Sequence, residues 1–231
     1  MVYVVFSDIH GNQYAFNEFL KQLKTTEYDT VIFCGDILGY YYGQDEIVAR
    51  LKAIPGLYAV RGNHDWYGLC LHDHKMEESM LCEKYGHSYS MLSDDVLEYI
   101  AKLPEEIEFE SQGKKYLVVH GTPLSRLEGR LYPGDDISKE LAEQYQQYDI
   151  VFSGHTHFRM DRLCGRTRII NPGSLGQQRD GKGFCYALYD ADSMELSYKE
   201  VIFDFGQLEE EIVLYDRDSH KLRDILHRGE R

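Results

Sequence analysis

Positive charge is what this chain has least of. Its 231 residues carry 25 Lys and Arg against 39 Asp and Glu, a formal net charge of −14. A surface that acidic argues against an extended face for DNA or RNA, which is built from clustered Lys and Arg. It leaves room for a small phosphorylated substrate, because a bound metal can reverse the field at one place. Paired cysteines are missing too. Cys34, Cys70, Cys82, Cys164 and Cys185 are odd in number and none stands in a CxxC spacing. They read as reduced thiols, small buried hydrophobes in a cytosolic protein. No apolar run approaches the length that spans a bilayer. The chain opens directly on the strand-like "MVYVVF", with no basic segment or cleavage site ahead of it. The expectation is a soluble, cytoplasmic protein with no membrane partner. Repeats and low-complexity linkers are also absent, and the length suits one domain over 1–231.

What is present is globular in composition, with 43% hydrophobic and 28% charged residues. "VYVVF", "TVIFC" and "LYAV" are short apolar runs with the character of buried strands. Between them "QYAFNEFLKQL" and "DEIVARLKAI" space their apolar residues for amphipathic helices, the first capped by Asn12. This β-α-β-α-β order predicts parallel strands with right-handed crossovers. Residues 66–93 break the rhythm and read as a small helical cap insertion. "DDVLEYIAKL" is a helix ended by Pro104, and "EIEFE" and "KYLVV" flank a hairpin turn. "DISKELAEQYQQY" is a further helix. The closely spaced runs "DIVFS", "RMDRL", "TRII", "FCYALYD" and "LSYKEVIFD" predict an antiparallel second half. A helical C-terminal region covers 207–231. The fold class is α/β (α+β), two sheets with helices outside.

Polar residues recur where strands end. "VYVVF" leads into Asp8 and His10, "TVIFC" into Asp36, "LYAV" into Asn63 and His64, "KYLVV" into His120, and "DIVFS" into His155 and His157. Taken singly, each is ordinarily a turn, a cap or a hydrogen-bonded core residue. Taken together, the ends of five strands can converge on one edge, where ligands of open α/β sheets bind. Imidazole, carboxylate and an amide oxygen suit first-row divalent ions, and the His and Asn argue against a pure Mg²⁺ or Ca²⁺ site. So many candidate ligands exceed one four-coordinate ion and suit two sharing a carboxylate. Two such ions clamp the attacking and leaving oxygens of a displacement at phosphorus and make a hydroxide nucleophile of a bridging water.

Read in order, "SDIHGN", "GDILGY", "VRGNHD", "VVHGTP" and "SGHTH" resemble the signature of calcineurin-like metallophosphoesterases. "INPGSLGQQRDG" and "YALYD" are similar to the bacterial diadenosine tetraphosphatase-like branch. The resemblance covers about residues 2–190. It implies a four-layer αββα sandwich of two mixed sheets and a dinuclear centre of Mn, Fe, Zn or Ni. It further implies that Asp8, His10 and His157 hold one ion, that Asn63, His120 and His155 hold the other, and that Asp36 bridges them. His64 then faces the substrate as hydrogen-bond or proton donor, with Asp65 orienting its imidazole. The activity implied is hydrolysis of phosphate mono- or diesters on a small phosphorylated substrate, nucleotide-derived ones among the candidates. Ser174 and Arg179 are candidates for contact with the substrate phosphate, against a plain turn for Asn-Pro-Gly. Arg61 would brace the "GNHD" segment or pair with a surface acid, and Trp66 and Tyr67 would line the pocket or simply pack. His72, His74 and His87 belong to the cap as solvated side chains, with a weak extra metal site at "LHDH" as the alternative for His72 and His74. His220 and His227 have no assigned role. Relatives often read Gln-Pro-Arg where this chain has Gln177-Gln178-Arg179, which leaves the substrate open. A non-catalytic scaffold on the same fold is disfavoured by the complete ligand set. A protein phosphatase would need "GDxVDRG" where this chain has "GDILGYY".

Overall fold

The computed structural model of the chain describes residues 1–217 and 219–228. Strands β1 (Val2–Phe6), β2 (Thr30–Phe33) and β3 (Tyr58–Ala59) lie side by side and parallel. Their crossovers are α1 (Gln13–Leu23) and α2 (Gln44–Leu51), as the alternation predicts. The Asn12 side chain caps α1 by accepting the Ala15 N–H at 3.0 Å, and Ala15, Phe16, Phe19 and Leu23 form its buried stripe.

Further strands are β4 (Glu106–Ser111), β5 (Lys114–Val119), β6 (Ile150–Phe152), β7 (Arg159–Cys164), β8 (Thr167–Pro172), β9 (Cys185–Asp190) and β10 (Glu195–Glu200). They complete two five-stranded sheets, ordered β10-β9-β1-β2-β3 and β4-β5-β6-β8-β7. The expectation of an antiparallel second half is corrected here. β4–β5, β7–β8 and β9–β10 are antiparallel hairpins, but β5–β6 and β6–β8 are parallel. β5 returns to β6 through a crossover carrying helix α6 (Lys139–Tyr145), the connection a parallel neighbour requires. β8 reaches β6 only after the chain has turned along the edge as β7. Both sheets are therefore mixed.

The side-chain period of two sorts the strands into layers. Tyr3 and Val5 of β1, Tyr116 and Val118 of β5, and Ile150 and Phe152 of β6 share one buried cluster between the sheets. Val4 and Phe6 face the opposite way, onto α1 and α2. Leu117, Val119 and Val151 face away on the second sheet, under Tyr145 of α6. The result is helix, sheet, sheet, helix.

After β3 come α3 (Asn63–His72), α4 (Glu78–Tyr85), a 3₁₀ turn (His87–Met91) and α5 (Asp94–Lys102). Asn63, His64 and Asp65 thus stand on the first turn of a helix, and the stretch read as beginning at residue 66 starts inside it. The C-terminal helix read from the sequence is two, α7 (Gly206–Tyr215) and α8 (His220–Leu226). The break falls where the Asp216 carboxylate accepts from Tyr42 Oη at 2.5 Å and from the His87 backbone N–H at 3.0 Å, and meets the His87 ring. Part of the break, Asp218, lies outside the described residues, as do 229–231. Among the described residues no helix is long and apolar enough to cross a membrane.

Candidate metal centre

The carboxyl ends of β1, β2, β3, β5 and β6 meet at one edge of the two sheets. The loops after β1 and β2 are laced together: the N–H groups of Asp8, Ile9 and Gly11 donate to the carbonyls of Gly35, Asp36 and Ile37 at 2.8–2.9 Å. The Gly154 N–H donates to the His120 carbonyl at 2.8 Å, and Gly176 to that of Asp8 at 2.9 Å. Among the described residues Asp8, His10, Asp36, His155 and His157 all have φ between +51° and +68°. Such a conformation costs of order 1–3 kcal/mol at a non-glycine residue, and it clusters at functional sites. Gly62 is required by close approach, since a Cβ there would sit 2.0 Å from Asp36 Oδ1.

These loops bring all seven residues read as ligands into one buried cluster. Ligand atoms of Asp8, His10 and His157 lie within 4.8 Å of one another, as do those of Asp36, His120 and His155. Asn63 Oδ1 joins the second set, 3.0 Å from His120 Nε2. His10, Asp36 and His64 form a third such group.

The proton inventory of the cluster is short. His10 Nδ1–H donates to the Leu38 carbonyl at 2.7 Å, His120 Nδ1–H to that of Cys34 at 2.7 Å, and His157 Nδ1–H to that of Gln177. A carbonyl only accepts, so the proton of each neutral ring sits on Nδ1 and Nε2 keeps its lone pair. The Nε2 atoms of His10 and His157 are 3.1 Å apart, and His157 Nε2 is 3.2 Å from Asp8 Oδ1. That oxygen is buried without a hydrogen-bond partner. At His10, His157 and Asp8 acceptors thus face acceptors in a dry place, an arrangement that a cation relieves. His120 Nε2 lies 3.2 Å from Asp36 Oδ2. Carboxylate, imidazole and amide donors fit a first-row divalent ion.

The field of the cluster prepares the same donors. Burial lowers the basicity of His10, His64 and His157, the first two well below the ordinary range, and pushes His155 down to about 3. All four rings are neutral, the form that ligates. Burial works to raise Asp8, but the imidazole cluster around it, charged at His120, holds it below the carboxylate range. Burial raises Asp36 against the pull of His120. At His120 burial is outweighed by Asp36 and Asp8, which lift the ring to about 9. A proton there takes the lone pair that an ion would use.

His64 lies beside both sets. Its N–H donates to Asp36 Oδ1 at 2.8 Å, and its Nδ1 is 2.8 Å from Tyr89 Oη. Tyr40, Tyr67 and Tyr85 surround the ring at 4.5–5.5 Å between centroids. Gly39, at φ +90°, gives it room, as a Cβ there would meet Nδ1 at 2.4 Å. Asp65 does not orient this imidazole, and that expectation is corrected. Its carboxylate accepts the N–H groups of Asp36, Ile37, Leu38 and Gly62 at 2.9–3.1 Å. Burial and Asp36 push its carboxyl up to about 7 against these donors.

Ser174 is corrected as well. Fully buried, its Oγ donates to the Asp8 carbonyl and accepts the Gln177 N–H, both at 2.8 Å, so it braces a turn and has nothing left for substrate. Arg179 does reach the centre: Gln177 Oε1 accepts from it at 2.6 Å and Tyr40 Oη at 3.1 Å, and its charge is felt by His10, His64 and His157. Trp66 is half-exposed beneath the Arg61 guanidinium, and Arg61 pairs with Glu105 at 3.2 Å. His72 and His74 are exposed, and His227 pairs with Glu209 at 2.7 Å. Sequence reasoning missed Tyr40, Tyr85, Tyr89, Gln177 and Arg130, whose Nε–H donates to His155 Nε2 at 3.1 Å. The tyrosine-rich "YYYG" and "YGHSY" were the visible signal.

Residues 1–194 match the profile of the calcineurin-like phosphoesterase superfamily domain. An uncharacterized protein of Methanocaldococcus jannaschii is 29% identical over 233 residues, covering 90% of each chain. The crystal structure of a hypothetical protein from Pyrococcus horikoshii superposes with a TM-score of 0.84 at 19% identity, over 99% of this chain and 98% of that one. That of a metallophosphoesterase from Sphaerobacter thermophilus gives 0.78 at 23% identity, over 99% of both. At these identities the two structural likenesses speak for the fold.

Proposed function

The chain belongs to the calcineurin-like phosphoesterase superfamily, a metal-dependent family, and from that premise we propose that it hydrolyses small phosphate mono- or diesters at a centre of two transition-metal ions. The observation that carries this reading is the convergence of buried acceptors, above all Asp8 Oδ1, which has no donor while facing the lone pair of His157. In this reading Asp8, His10 and His157 would hold one ion and Asn63, His120 and His155 the other, and Asp36, which stands in two of the three ligand groups, would serve both. Ions bound there supply Lewis acidity toward the phosphoryl oxygens and the means of acidifying a water at neutral pH.

The chain's own residues do the rest. With Nδ1–H engaged by Tyr89, His64 turns Nε2 toward His10 and Asp36; once an anionic phosphate beside the ring has raised its basicity and Nε2 has taken a proton, it donates to a phosphoryl oxygen or the leaving group. Arg179, held in plane by Gln177, binds a phosphoryl oxygen. Asp65 fixes the backbone that carries Asp36. The tyrosines around His64 keep water from that side.

Metal-stripped protein reconstituted with Mn²⁺, Fe²⁺ or Zn²⁺ should be assayed on p-nitrophenyl phosphate, bis(p-nitrophenyl) phosphate and dinucleoside polyphosphates. Elemental analysis should find near two equivalents per chain, with hydrolysis of at least one class that a chelator abolishes. Protein carrying two ions and hydrolysing none of these would be a binding scaffold instead.

A further inference from the structure

Arg130 stands in none of the motifs and lies exposed on the loop between β5 and α6. Among the described residues Arg50, Arg61, Arg126, Arg159 and Arg168 each pair with a carboxylate. Arg130 differs: its Nε–H donates to His155 Nε2 at 3.1 Å. A ring nitrogen that accepts has its lone pair, so the proton of this imidazole is on Nδ1. A neutral imidazole has one lone pair. Here it is already in use, on a residue grouped with Asp36 and His120 as a potential metal ligand.

An ion at His155 needs that lone pair. An ion at Nε2 takes the place of the arginine. An ion at Nδ1 sends the proton, by exchange with water, to Nε2, and two N–H groups would then face each other at 3.1 Å. Either way the Arg130 bond breaks. We propose that Arg130 and the ion of the Asn63, His120 and His155 set compete for the single lone pair of His155, so that loading this ion releases the guanidinium to bind substrate phosphoryl oxygens. The released group, exposed on a loop at the rim, offers a planar fork of donors suited to a phosphoryl group. Substrate affinity is thereby tied to occupancy of the second ion. This inference rests on the two-ion reading above.

The test is a titration of Zn²⁺ into the metal-stripped full chain, followed by ¹⁵N NMR of the arginine Nε–H groups and the imidazole nitrogens. Arg130 is assigned by its loss in Arg130→Ala, and inorganic phosphate affinity is measured by calorimetry. The Arg130 Nε–H resonance should change with the same equivalent that perturbs His155 and not with the other. Arg130→Ala should bind that equivalent roughly 3- to 10-fold more tightly, as one net hydrogen bond no longer opposes it. In the zinc-loaded protein the same substitution should weaken phosphate binding by about tenfold or more. Two bound ions with an unmoved Arg130 resonance, or an unaltered phosphate affinity, overturn the competition and leave the two-ion reading standing. Fewer than two ions at saturation overturn both.

Discussion

A neutral histidine has one lone pair, and its other nitrogen decides where that lone pair points. At His10, His120 and His157 the decision belongs to backbone carbonyls; at His64 it belongs to a hydroxyl. Tyr89 Oη lies 2.8 Å from His64 Nδ1 and 3.2 Å from the His64 carbonyl. Both contacts are satisfied together only if the hydroxyl donates to the carbonyl and accepts Nδ1–H. Nε2 can then gain or lose a proton without the ring turning. Two predictions follow this geometry. His64→Ala should keep both ions by elemental analysis and lower kcat by about 10²–10⁴. The loss should be larger for an alkoxide leaving group than for nitrophenolate, which departs without a proton. An equal loss on both assigns His64 to electrostatic stabilisation. Tyr89→Phe should leave the fold and the ions in place and lower kcat roughly 3- to 30-fold, with the same leaving-group bias and little change in KM. A rise in KM alone would make Tyr89 a wall of the pocket.

The first turn of α3 shows how far the sequence could be read and where it stopped. Strand ends carrying Asp8, His10, Asp36, His120, His155 and His157 were legible because each follows an unmistakable apolar run. "GNHD" was legible as a cluster but not as a helix, since a strand as short as β3 leaves its ends undefined. On a helix, consecutive residues point about 100° apart. So Asp65 diverges from His64 and turns to the Asp36 loop instead. Tyr89 and Arg130 were not legible: each meets its histidine 25 residues away, across intervening elements and loops whose mutual packing no periodicity fixes. The parallel pairing of β5, β6 and β8 was hidden for another reason, because hairpin signals flank those strands and α6 alone reveals the crossover. The corrected role of Asp65 makes a sharp prediction. Asp65→Ala leaves four buried N–H groups without an acceptor, at about 1–3 kcal/mol for each that water cannot reach. The variant should lose roughly 3 kcal/mol or more in denaturant unfolding and bind metal poorly, whereas a role confined to catalysis would leave stability unchanged.

Across the whole molecule, each proposed ion draws ligands from both sheets. Asp8, His10, Asp36 and Asn63 follow strands of the first, and His120, His155 and His157 follow strands of the second. Ions that bind only this assembled edge stabilise the fold by mass action. At a thousandfold excess over its dissociation constant one ion contributes about 4 kcal/mol. For a chain of this size that corresponds to a rise in Tm on the order of 10 °C. The rise should depend on pH, and its direction follows from His120. Asp36 and Asp8 lift this ring to about 9, above its ordinary 6.5, against the effect of burial. A raised pKa stabilises the metal-free fold fully below the unfolded value, and that stabilisation fades as pH climbs through 9. An ion must displace this proton, so its affinity grows as pH rises toward 9. His10 and His157 are already neutral, and Asp8 is already ionised, so their ion displaces no proton over the same window. Zinc titrations by calorimetry in buffers of different ionisation heat should therefore find about one proton released by one ion between pH 6.5 and 8.5, and none by the other. The metal-induced rise in Tm should be larger at pH 8.5 than at 6.5. Equal proton release by both ions would show that His120 does not carry the proton that the second ion displaces.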